Sequence, residues 1–284
     1  MRSIINERED LEASKLMKTR VLSGIALGII TIGSLLAGGW FLYGLTLMIA
    51  LIGMFELYRV IRVEKSPLAV IGYLTAIAYY ICMVATDGRY HMLLIVLAMM
   101  AMMAVYVFTF PKYKAQDVTM TFFGIVYVAI ALSYIYQVRV LTDGIYVVWL
   151  IFVASWGNDT FAYFTGVLFG KHKMAPVLSP KKSVEGAIGG VLGATILGFV
   201  YGCIVSSRMS DIIIYPAVTF AVASCIGAIL AIVGDLCASA IKRNHEVKDY
   251  GKLIPGHGGI LDRYDSVIFT APAVYWAVFL IDHM

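Results

Sequence analysis

Charged side chains are scarce in this sequence: Asp, Glu, Lys and Arg make up 14% of its 284 residues, against roughly 25% in an ordinary soluble domain. So few charges argue against a chain that faces water on all sides. Cysteine is scarce too, and Cys82, Cys203, Cys225 and Cys237 lie in apolar runs without metal-ligand spacing. They read as packing residues. No basic-aromatic module is present, so the net charge of +4 calls for no nucleic-acid partner. No cleavable leader is expected either. The first apolar run is too long for a signal-peptide core and has no small-residue cleavage site, so it reads as a retained span behind a short amphipathic helix in residues 1–20.

What the sequence has in quantity is apolar length. Hydrophobic residues make up 61% of it, and the mean hydropathy is +0.85. Nine runs stand out, near 21–38, 40–58, 68–86, 91–110, 118–137, 145–169, 186–206, 213–235 and 265–282. Each approaches the ~20 residues that cross a ~30 Å hydrocarbon layer as a helix. The expected fold is therefore all-α, a polytopic integral membrane protein with about nine transmembrane helices. With the N-terminus in the cytoplasm, 19 of the 22 Lys and Arg residues fall on the inner side and only Arg89, Arg139 and Arg208 outside. That asymmetry satisfies the positive-inside rule.

Polar chemistry is unevenly spread. Residues 1–140, the expected N-terminal helix and spans one to five, read as a scaffold with lipid access. Glu56 reads there as an interfacial acid paired with Arg59. Residues 141–284 carry acids in apolar helices, where an ionised group costs about 2.5 kcal/mol or more. Asp159, Tyr163, Gly166 and Gly170 share one helical face. Ser179-Pro180 reads as an N-cap and first helical position. Lys181 and Lys182 would then oppose the helix dipole unless an anion sits there. Asp235, Ser239 and Lys242 follow at i, i+4, i+7, with Arg243 beside them. The densest stretch runs through His257, Gly258, Gly259, Asp262, Arg263 and Asp265. Its glycines free the backbone for close approach to a ligand or for an anion-binding nest. Acids for a hard cation beside bases for phosphates suggest phosphate chemistry with Mg²⁺. No Ser-His-Asp order or zinc signature competes.

The blocks Asp159-Thr160-x-Ala162-Tyr163, Phe169-Gly170-Lys171-His172-Lys173, Ser179-Pro180-Lys181-Lys182-Ser183-x-Glu185-Gly186, Ser239-x-x-Lys242-Arg243 and Pro255-Gly256-His257-Gly258-Gly259-x-x-Asp262-Arg263-x-Asp265-Ser266 resemble the phosphatidate cytidylyltransferases, the CDP-diacylglycerol synthases. That resemblance implies conversion of CTP and phosphatidate to CDP-diacylglycerol and pyrophosphate by a homodimer in the bilayer of the inner (plasma) membrane, with the site facing the cytoplasm. It also implies a divalent metal, Mg²⁺ with a second ion conceivable, at Asp235 and Asp262, with Asp265 in support. Lys242 joins the two acids as a catalytic candidate. Asp159, Ser179, Lys181, Lys182, Ser239, Arg243, His257, Gly258, Gly259 and Arg263 are candidates for substrate binding. The rivals are another CTP-dependent lipid enzyme, such as a polyprenol-type kinase or an ether-lipid cytidylyltransferase, and an ion-coupled transporter using Asp159 and Asp235. The crowding of polar motifs into one half counts against the transporter, which should repeat them in both.

Overall fold

The computed structural model describes residues 22–210, 213 and 215–282. The amphipathic helix expected in residues 1–20, with Arg2, Arg8, Lys15, Lys18 and Arg20, lies outside them. Nine apolar helices are found among the described residues: α1 Leu22–Ala37, α2 Gly39–Val60, α3 Pro67–Ala85, α4 His91–Phe108, α5 Ala115–Val140, α6 Gly144–Phe169, α7 Val184–Arg208, α8 Pro216–Asn244 and α9 Leu261–Ile281. Eight are long enough to cross a bilayer, and α1 is shorter. The chain is an all-α polytopic membrane protein, as the hydropathy pattern implies.

Local chemistry sets several boundaries. Ser66 caps α3 by accepting from Ala69 N at 3.1 Å, with Pro67 at the first helical position, where its missing N–H costs nothing. Gly38 joins α1 to α2 at φ +60°, a left-handed conformation that disfavours any residue with a Cβ. α7 is buried along Gly186, Gly190, Gly193, Gly198 and Gly202. Those small residues let it pack closely between α6 and α8, as membrane helices do where backbones approach. α9 in turn packs on α8 and α5. α4 has only Ala98 and Met102 buried and otherwise presents an apolar surface suited to lipid.

Two expectations are corrected. A two-stranded ribbon, β1 Lys173–Ala175 and β2 Ser179–Ser183, lies between α6 and α7. Ser179 is thus a strand residue and not an N-cap, and Lys181 and Lys182 are extended. The cap of α7 is Ser183, which accepts from Gly186 N at 3.1 Å. Pro180 is tolerated because an edge strand leaves its missing N–H unpaired at no cost. Secondly, α8 runs to Asn244 and α9 starts at Leu261, beyond the hydropathy limits near 235 and 265. Polar side chains at those ends face a protein site and so need no lipid-like hydropathy.

Because successive helices alternate in direction, the segments 61–66, 109–114, 170–183 and 245–260 gather at one end. Arg89, Arg139 and Arg208 are the described basic residues at the other. There Asp143 accepts from Ser210 N at 2.9 Å, and Arg139 Nε donates to Leu35 O at 2.9 Å.

Candidate active site

A π-helical turn, Val153–Gly157, interrupts α6 just before Asn158 and Asp159. Such turns re-aim the residues that follow. Asp159 thereby comes within electrostatic reach of Lys182, Asp235 and Arg263. Asp265, in the first turns of α9, faces Asp235, Lys242 and Asp159. Two ion pairs tie this group together. Lys182 of β2 pairs with Asp235 of α8, both about one-quarter exposed. Lys242 Nζ meets Asp262 Oδ1 at 2.9 Å, with side-chain exposures of 13% and 5%. The expected face of α8 therefore exists, but its acid and its amine serve different neighbours and do not pair with each other.

Three cavities open around these residues. One, of ≈ 350 Å³, lies among α6, β2, α7 and α8 and is bordered by Asp159, Tyr163, Val167, Met174, Lys181 and Lys182. Its wall is mainly apolar, and both lysines border it. Asn158 Oδ1 on its border is buried and has no hydrogen-bond partner among the described residues. A second, of ≈ 290 Å³, is bordered by Asp159, Trp156, His257, Asp262, Arg263 and Asp265. The third, of ≈ 400 Å³, takes in Lys248, Lys252, Gly256, Gly258, His257 and Arg263. Asp159 borders the first two, while His257 and Arg263 border the last two, so the three form a series from an apolar compartment to a basic one.

The loop before α9 is ordered by carboxylates. Asp262 Oδ2 accepts from Tyr250 N at 2.8 Å and Gly259 N at 2.9 Å. Arg263 Nε donates to His257 O at 3.1 Å, and His257 Nδ1 contacts Ser23 Oγ at 2.9 Å. The Tyr250 phenol donates to Ala238 O at 3.0 Å, and burial pushes it above its ordinary value, so it remains a donor. The nest expected at Gly258-Gly259 is not free for an anion at Gly259, whose N–H is held by Asp262. Gly258 is required for another reason, its φ of +86°.

Sequence reasoning missed Glu56. It is 3% exposed and accepts from Ile260 N at 3.1 Å and Leu261 N at 2.8 Å. The expected Glu56–Arg59 pair is not formed, because Arg59 Nη2 donates to Tyr250 O at 2.7 Å. An acid in an apolar helix was the available signal, but Arg59, three residues on, offered a partner at helical spacing and so a structural explanation. Of the other candidates, half-buried Ser239 and exposed Arg243 border neither cavity that touches Asp159, and Ser179 also stays outside them.

A metal fits this donor set. Among the described residues no three His, Cys, Asp or Glu side chains converge to cage an ion, but Mg²⁺ commonly takes one or two carboxylates plus substrate phosphates. Asp235 and Asp265 offer such oxygens. Oδ2 of Asp262 is spent on two N–H groups, leaving Oδ1, which faces Lys242, as its one oxygen able to turn to a cation.

The sequence profile of the cytidylyltransferase family matches residues 18–281, nearly the whole chain. The chain belongs to that family. It is 34% identical over 261 residues to a phosphatidate cytidylyltransferase of Staphylococcus epidermidis, covering 90% of this chain and 96% of that one. One from Staphylococcus saprophyticus is 32% identical over the same coverage. A Thermotoga maritima protein of the same name is 45% identical over 126 residues, 44% of this chain and 46% of that one. As a cytidylyltransferase the chain is a nucleotidyltransferase.

Proposed function

We propose that this cytidylyltransferase joins CTP to phosphatidate, releasing pyrophosphate and leaving CDP-diacylglycerol in the plasma membrane, with the site on the cytoplasmic face. The observation that carries the reading is the series of cavities, the first two sharing Asp159 and the last two sharing His257 and Arg263. An apolar compartment bordered by Tyr163, Val167 and Met174 suits acyl chains, and Lys181 and Lys182 suit the phosphomonoester at their end. The compartment with Lys248, Lys252, His257 and Arg263 suits a triphosphate.

In the reaction, a phosphatidate oxygen forms a bond to the α-phosphorus of CTP as the bond to the β-phosphoryl oxygen breaks. The departing electron pair leaves on pyrophosphate. The nucleophile is already an anion, so no strong base is required. What the protein supplies is alignment and charge neutralisation, which dominate phosphoryl and nucleotidyl transfer. Lys182 and Lys181 hold the attacking phosphate. Arg263 and Lys242 face the charge that develops on the leaving side. Asp235 and Asp265, with Oδ1 of Asp262, would hold Mg²⁺, which would supply positive charge to neutralise the phosphates.

The experiment is incorporation of radiolabelled CTP into lipid by purified protein, with phosphatidate, polyprenol and ether-lipid acceptors compared. Label appearing in CDP-diacylglycerol only with phosphatidate and Mg²⁺ supports the reading. Label transferred preferentially to another acceptor would replace phosphatidate as the substrate.

A further inference from the structure

The glycine-rich turn at the start of α9 is held from two sides. Three consecutive N–H groups, on Gly259, Ile260 and Leu261, are each taken by a carboxylate. Asp262 takes the first and reaches it from within the turn. Glu56 takes the other two and reaches them from α2, some 204 residues away in sequence. One helical turn after Glu56, Arg59 binds the carbonyl of Tyr250, whose own N–H goes to Asp262. Both strands of the loop are thus fastened to α2 and to Asp262.

The packing is close. A Cβ on Gly259 would run into both carboxylate oxygens of Glu56, and one on Gly251 would run into the same group. Gly259 does not have a positive φ, so its backbone would accept alanine. The three atoms nearest to that Cβ all belong to Glu56. Two of the glycines in this segment therefore make room for a protein carboxylate, and no ligand is needed to account for them.

From this geometry we infer that Glu56 is a positioning residue for nucleotidyl transfer. It sets the first turn of α9, and with it Asp262, Arg263 and Asp265, without touching substrate. Helix N–H groups aim at its two oxygens, which offsets the cost of burying the carboxylate. The inference rests on the assignment of the α9 turn to the active site. A catalytic group displaced by about 1 Å can cost on the order of 100-fold in rate.

The test compares variants in purified, normally inserted protein. Glu56→Gln places an amide donor against a backbone donor. It should lower kcat about 10- to 100-fold, with KM for phosphatidate within about 3-fold, because Lys181 and Lys182 hold that substrate from β2. Gly259→Ala should lower kcat similarly by displacing Glu56. Glu56→Asp withdraws the carboxylate by one methylene, so Glu56→Asp/Gly259→Ala should be at least about 5-fold faster than Gly259→Ala alone. A merely structural acid would not give that compensation. Wild-type kcat in Glu56→Gln, or a double variant no faster than Gly259→Ala, would overturn the positioning role. Asp265→Asn separates the two readings. If it is inactive while Glu56→Gln is fully active, only the role of Glu56 fails. If Asp265→Asn is also active, the site assignment fails.

Discussion

Lys242 and Asp262 form an ion pair of 2.9 Å in which neither side chain is more than 13% exposed, and the same aspartate orders the loop through Tyr250 N and Gly259 N. The pair is therefore structural as well as chemical. Removing one partner of a nearly buried pair costs about 3–5 kcal/mol, because a charge is left uncompensated. Asp262→Asn should lose activity more than 100-fold and also lower the Tm in detergent by roughly 5 °C or more. Among the described residues Asp265 makes no ion pair, and its Oδ1 accepts from its neighbour Ser266 N at 2.8 Å, a bond that Asn can also accept. Asp265→Asn should lose activity with Tm within about 2 °C of wild type. Thermal unfolding beside the incorporation assay separates the two. A stable, inactive Asp262→Asn protein would assign Asp262 to chemistry alone.

A second expectation concerns the cation. With only two or three carboxylate oxygens from the protein and the rest from substrate, Mg²⁺ should bind weakly to the free enzyme. Chelation with EDTA should abolish incorporation, and added Mg²⁺ should restore it fully. Asp235→Asn should raise the Mg²⁺ concentration for half-maximal rate by roughly 10-fold or more, about the 1.4 kcal/mol of one weakened ligand. Titration of rate against Mg²⁺ checks this. An unchanged half-maximal concentration would remove Asp235 from the metal.

Much of this was legible from cost. Asp159, Asp235, Asp262 and Asp265 sit in or against apolar helices, where an ionised side chain is expensive without a partner, and all four come to one site. Spacing was a poorer guide. Asp235 and Lys242 share a face of α8, yet each pairs with another element. Ser179-Pro180 has the composition of a helix start, but the strand pairing of Lys173 with Ser183 overrides it and moves the cap to Ser183. Glu56 and Arg59 were not legible as site residues at all. Their partners, Ile260, Leu261 and Tyr250, lie about 190–205 residues away, and local pattern carries no record of contacts at that range.

The third prediction fixes orientation. β1 lies at the end of the molecule where the loops rich in Lys and Arg gather, and Lys173 is exposed. If that end faces the cytoplasm, as the positive-inside rule requires, a Lys173→Cys protein lacking Cys82, Cys203, Cys225 and Cys237 should react with an impermeant maleimide only in inverted vesicles. Labelling in intact spheroplasts would reverse the orientation and separate the site from cytoplasmic CTP.

The last prediction concerns Lys182, whose expected role changes with the fold. In the first turn of a helix it would have argued for an anion at the helix dipole, and CTP was the natural candidate. In β2 it instead pairs with Asp235 and borders the apolar compartment with Tyr163, Val167 and Met174. An ammonium on the border of an apolar cavity suits a lipid phosphate better than a soluble nucleotide. Lys182→Gln should therefore raise KM for phosphatidate more than KM for CTP. Loss of one charged hydrogen bond, about 1.5–3 kcal/mol, corresponds to a fall in kcat/KM for phosphatidate on the order of 10- to 150-fold. Lys181, exposed on the same strand, should show a smaller effect, because an exposed charge is screened by solvent. Asp235 is left without its partner in Lys182→Gln, so the Mg²⁺ requirement should fall or stay level, the opposite of Asp235→Asn. Kinetics with each substrate varied in turn, at saturating Mg²⁺, decide the matter. A larger effect on CTP than on phosphatidate would move Lys182 to the triphosphate and leave the apolar compartment without its phosphate anchor.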